Sequence, residues 1–112
     1  MRNEEIFVYV WEYVVKREAK SDFERVYGPD GDWVRLFEKS EGYRGTLFCH
    51  DNDNELRYLT VDYWVSKNDR DLFRRQHAKE FEALDRRCEH LTETEHHLGD
   101  FSGPARPGGW PW

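Results

Sequence analysis

Cysteine is nearly absent from this chain. Cys49 and Cys88 are the only two in 112 residues, too few for the disulfide framework that staples small secreted domains. Both are expected to be reduced and packed. Long apolar runs are missing too: none approaches the ~20 residues that cross a bilayer. The start, Met1-Arg2-Asn3-Glu4-Glu5, lacks the basic segment and continuous apolar stretch of a secretory signal. The expected location is therefore cytoplasmic, with no membrane partner. Positive charge is in short supply, 17 Lys and Arg against 23 Asp and Glu for a formal net charge of -6. That balance opposes non-specific nucleic-acid binding, which needs a basic surface. The length itself provides material for one domain and not two.

What the chain has in quantity is charge and aromatic rings. Charged residues make up 36% and the mean hydropathy is -1.01, a polarity that implies disorder when rings are scarce. Here five Trp, six Tyr and seven Phe each bring a large burial area, enough for a core in a short chain.

Residues 6–15, Ile-Phe-Val-Tyr-Val-Trp-Glu-Tyr-Val-Val, are β-branched and aromatic and alternate between two faces, which predicts a strand. Ser21-Asp22-Phe23-Glu24 has the form of a capping box, so a helix is expected to begin there. Gly28-Pro29-Asp30-Gly31 should kink or interrupt it. Helical spacing resumes through Trp33, Leu36 and Phe37, with Gly42 just past the helix end. Residues 43–50 and 56–65 predict two strands joined through Asp51-Asn52-Asp53-Asn54, a hairpin. Ser66 offers the next cap, and Phe73, His77, Phe81, Leu84, Cys88 and Leu91 fall on one stripe of a long helix. A short final strand over 93–101 completes a βαββαβ order.

That order closes into a ferredoxin-like α+β fold, one four-stranded antiparallel sheet with two helices on a single face. The domain is expected to span residues 1–102, with a flexible Pro/Gly/Trp tail over 103–112. Ile6, Val8, Val10 and Val14, with Leu59, Val61 and Val65, form an aliphatic side suited to lie under the helices. Phe7, Tyr9, Trp11 and Tyr13 then face away with Tyr58, Thr60, Asp62 and Trp64. Such a surface is too apolar to stay in water, so a homodimer packed sheet against sheet is expected.

The scattered set Phe23-Glu24, Tyr27-Gly28-Pro29, Gly31, Trp33, Leu36-Phe37, Gly42-Tyr43, Gly45-Thr46, Tyr58, Thr60, Asp62, Trp64, Ser66, Leu84-Asp85 and Leu91-Thr92 resembles the antibiotic biosynthesis monooxygenase family across residues 6–101. The resemblance implies a dimeric α+β barrel. It also implies, for some members, a monooxygenase reaction on aromatic polyketides that uses no cofactor. The haem-degrading members use an Asn on the first strand and a Trp and a His on the helix after the third; the matching positions here are Glu12 or a neighbour, Phe73 and a residue near Ala83, so that branch fits poorly.

On the residues themselves, His77 lies between Phe73 and Phe81, where desolvation favours a neutral, basic imidazole, and it is the first candidate for a general base. Asp62 is the second, as a base or as an interfacial carboxylate paired with Arg57 or Arg44. Trp33, Phe37, Phe73 and Trp64 are the candidate walls for a small aromatic molecule. His90, His96 and His97 near Cys88 do not make a metal site, since neighbours on a strand point to opposite faces. The RNA-recognition motif shares the element order, but the third strand lacks its basic, Gly-containing signature. Two functions stay open: a monooxygenase without cofactor, and a non-catalytic dimer that binds a small molecule. The terminal Trp110-Pro111-Trp112 is a candidate to fold back on a partner subunit.

Overall fold

The structure, a computed structural model, describes residues 5–104. Eight elements follow in the order β1 (Glu5–Val15), α1 (Lys20–Tyr27), α2 (Asp32–Phe37), β2 (Tyr43–His50), β3 (Arg57–Trp64), α3 (Lys67–Gln76), α4 (Ala78–Cys88) and β4 (Thr92–Pro104). The strands form one antiparallel sheet in the order β2-β3-β1-β4, the ferredoxin-like α+β fold. Each of the two helical segments is split in two. Gly28-Pro29 ends α1 as the breaker cluster predicts. The long helix, in contrast, breaks at His77, whose φ of -119° leaves the helical region. The tail residues 105–112, with the Trp-Pro-Trp end, lie outside the described residues.

One local expectation needs correction. Ser21 does not cap α1, because a single 3-10 turn at Arg17–Ala19 runs directly into the helix and moves its start to Lys20. Glu24, freed from that role, accepts hydrogen bonds from Lys20 and from the Tyr58 hydroxyl, which ties α1 to β3. Ser66, by contrast, caps α3 as expected, its Oγ accepting from Asp69 N at 3.1 Å.

The larger correction concerns which side of the sheet the helices cover. Phe7, Tyr9, Tyr13, Tyr58, Thr60, Asp62 and Trp64 are buried beneath them, whereas Ile6, Val8, Val10, Val14, Leu59 and Val61 are half-buried on the open face. The cause is volume. Helices α1 and α2 bury rings of their own, Phe23, Tyr27, Trp33 and Phe37, but α3 and α4 bury only Phe73, Leu84 and Cys88, and long rings on the strands fill the space beneath them. The rings gather at two ends. At one, Phe23 packs on Tyr27, Tyr13 and Tyr58 with centroids 4.2 to 5.2 Å apart. At the other, Trp64 meets Phe37, Phe73 and Tyr43 at 5.3 to 5.6 Å.

Candidate active site

Between the two ring clusters the floor of the sheet changes character. Thr46 on β2 and Thr60 and Asp62 on β3 are smaller than the rings to either side. Above them a cavity of about 270 Å³ opens between sheet and helices. Trp33 and Phe37 from α2 and Phe81 from α4 form its roof, and Tyr9, Trp11 and Tyr13 one side. A mostly aromatic hollow with a few converging polar groups is the usual form of a small-molecule site.

Asp62 is the chemical centre of this floor. It is 5% exposed and accepts a hydrogen bond from Thr46 Oγ1 at 2.6 Å, while Thr46 is bonded in turn to the Tyr43 hydroxyl. Burial disfavours its charge and pushes its pKa up to about 7, against the smaller downward pull of the Thr46 hydroxyl. No ion pair reaches it among the described residues. Arg57, one expected partner, bonds Glu12 and Asp51 on the other side of the sheet, and Arg44 bonds the backbone carbonyls of Glu41 and Tyr43. A carboxylate poised near neutrality and open to a cavity is suited to take a proton from a bound molecule.

The other expected site residues divide into two groups. Trp33 and Phe37 line the cavity with Asp62. Trp64 and Phe73 are fully buried in the adjoining cluster, where their rings support Phe37 from behind at 5.6 and 5.5 Å. His77 sits at the α3–α4 break, its ring 5.2 Å from Phe73 and its Nδ1 2.7 Å from Glu80 Oε1, away from the cavity wall. The break turns it off the stripe that an unbroken helix would have continued.

Several wall residues were not singled out from sequence. Tyr9 stands directly across the strand pair from Asp62, a juxtaposition that register alone reveals. Arg70 and Arg74 reach the cavity from α3, and His97 and Asp100 from β4. His97 arrives there because β4 carries a bulge. Gly99 pairs with Val10 but His97 with Trp11, leaving Leu98 as the extra residue, so the alternation is reset and His97 stacks on Trp11 at 5.2 Å. Gly99 allows this with a φ of +155°, and the Phe101 ring occupies the space a Cβ would need. His96, one residue back, faces the open side near Glu12, so the two imidazoles do point apart.

Fold and cavity together define the class: an antiparallel sheet roofed on one side by helices that enclose an aromatic pocket. No protein-family model and no curated protein matches the sequence. Solved structures do match. SnoaB, a cofactor-independent oxygenase from Streptomyces nogalater, is 20% identical with a TM-score of 0.71 over 95% of this chain and 99% of its own. Proteins named as antibiotic biosynthesis monooxygenases from Nitrosomonas europaea and Bordetella bronchiseptica align at 10% and 18% identity, with TM-scores of 0.67 and 0.64, over 92% and 86% of this chain and 93% and 96% of theirs. At these identities the likeness establishes the fold. That fold is the one carried by structures bearing the family name that the residue pattern resembles.

Proposed function

We propose that this protein is a monooxygenase that works without a cofactor on a planar phenolic molecule held in the sheet–helix cavity, with Asp62 as general base. In the reaction Asp62 removes a proton from an activated CH₂ or phenol, and the resulting electron-rich anion reduces dioxygen. One oxygen atom is retained as a new carbonyl and the other leaves as water, so that R₂CH₂ + O₂ gives R₂C=O + H₂O. The four electrons that reduce dioxygen come from the substrate carbon, and Asp62 returns its proton to the departing oxygen. The observation that carries this reading is the buried, unpaired carboxylate at about pKa 7 on the floor of an aromatic cavity.

The test is oxygen uptake with 1,8-dihydroxyanthrone, corrected for its spontaneous oxidation, with ¹⁸O₂ incorporation into the quinone product. Wild-type protein should accelerate uptake, with kcat/KM rising through about pH 7 to a plateau. Asp62→Asn should lower kcat by roughly 10²- to 10⁴-fold, the usual contribution of a positioned base. Tight binding of the anthrone with no uptake above background would overturn the enzyme reading in favour of a non-catalytic binder. We also propose that two copies pair through the open sheet face, and the exposed Leu98 and Phe101 there support it.

A further inference from the structure

Tyr9, Asp62 and Arg70 form a row on one wall of the cavity. Tyr9 and Asp62 are directly opposed across β1 and β3. The Arg70 guanidinium lies 5.0 Å from the centroids of both the Tyr9 and the Phe7 rings, with its side chain only 12% exposed. We propose that Tyr9 and Arg70 are an oxyanion site, and that the cavity takes planar phenols as their anions. This rests on Asp62 being the base and extends it to the atom that receives the negative charge.

The donors for such a site are present. Arg70 uses Nε on Asp71 Oδ1 at 3.0 Å and Nη2 on Asp100 Oδ2 at 3.7 Å, and its Nη1 has no partner among the described residues. A guanidinium carries five N–H donors, so hydrogen bonds remain to be made. The two carboxylates it meets are each 32% exposed and partly screened by water, and the longer contact is loose. The Tyr9 hydroxyl has no hydrogen-bond partner among the described residues. Burial first, and then the Asp62 charge, hold Tyr9 well above the ordinary phenol range, so it stays a neutral donor.

Charge flow explains the order of the row. Before reaction the negative charge sits on Asp62; after proton transfer it sits on the ligand oxygen, beside a cation and an O–H already fixed in place. Other charges around the cavity act in both directions. Arg74 on α3, stacked 4.0 Å over Phe81, adds a second cation at the rim. Asp85 on α4 and Glu95 on β4 oppose an anion, and His97 is bonded to Asp100 at 2.7 Å. Of the cations, Arg70 is the one held against the ring of Tyr9, the residue that stands opposite Asp62, which makes it the decisive one.

Alizarin, whose colour changes on ionisation, reads this directly in the full chain without turnover. Bound to wild type, it should ionise about one pH unit below its value in free solution, a tenfold change in its acid constant. Arg70→Gln should abolish or reverse that shift, Arg70→Lys should keep most of it, and Tyr9→Phe should lose a smaller part. Asp62→Asn should keep the shift or deepen it, since one competing negative charge is gone. Circular dichroism of each variant separates loss of the site from loss of the fold. Alizarin that fails to bind, that ionises at or above its free value, or that ionises identically in folded Arg70→Gln overturns the proposal. Absence of anthrone oxidation with the alizarin shift intact would instead sink the catalytic reading and leave a phenolate-binding cavity.

Discussion

At the scale of single residues, burial sets the charge of Asp62 against the stability of the fold, and the proposed reaction needs that charge. Its folded pKa of about 7 lies above the ordinary 3.8, so the folded chain holds a proton that the unfolded chain has released between those values. Stability from this group is therefore full below about pH 4 and is lost as pH rises to about 7. Three pH units at 1.36 kcal/mol each make the cost of the charged form about 4 kcal/mol. Asn keeps an acceptor for Thr46 but carries no charge. Asp62→Asn is expected to unfold at higher denaturant concentration than wild type at pH 8, by the equivalent of roughly 2–4 kcal/mol, with little difference at pH 4. A variant that is more stable and nearly inactive is the expected mark of a functional group held against its solvation preference. Equal midpoints at both pH values would show that Asp62 is not desolvated as the geometry requires.

At the scale of elements, caps and breaks decide where side chains point. Ser66 closes the N-terminus of α3, the helix that presents Arg70 to the cavity. Ser66→Ala should cost about 1 kcal/mol by chemical denaturation, and the looser first turn should weaken alizarin binding more than a distant surface change of equal cost. The bulge at Leu98 does similar work on β4. Gly99→Ala forces a side chain into a backbone conformation that L residues avoid and into the Phe101 ring. The expected result is a loss of more than about 1 kcal/mol, with a changed environment for His97 seen by NMR. An unchanged His97 spectrum would mean that the bulge does not depend on glycine. The bounds of β1, β2 and β3 and the Ser66 cap were legible because alternation and capping are local; β4, expected as a short strand over 93–101, instead runs to Pro104, since Gly103 and Pro104 pair with Ile6 and Glu5 across the sheet. The break at His77 was not, since no Gly or Pro marks it and the residues that hold each half come from other elements.

At the scale of the whole molecule, the open sheet face is the dominant unsolved surface of the single chain. Leu98 and Phe101 are 49% and 54% exposed there, beside the half-buried Ile6, Val8, Val10 and Val61. Light scattering at micromolar concentration is expected to give a two-chain particle. Leu98→Glu with Phe101→Glu should reduce it to one chain without unfolding it, since neither side chain is part of the chain's own core; a wild-type particle of one chain's mass would refute the pairing. Sequence had assigned this role to the aromatic face, and the reason for the inversion is instructive. Alternation sorts Phe7, Tyr9 and Tyr13 from Val8, Val10 and Val14 without ambiguity, but it carries no sign. By itself the sequence determined the element order, the two faces of each strand and the fold, because these follow from local periodicity and turn chemistry; it put Asp62 on the face away from the helices, apart from Trp33 and Phe37. Which face the helices cover, and that Tyr9 and Arg70 join Asp62 while His77 turns away, was decided only in three dimensions, where the volume between sheet and helices had to be filled and each helix could rotate to fill it.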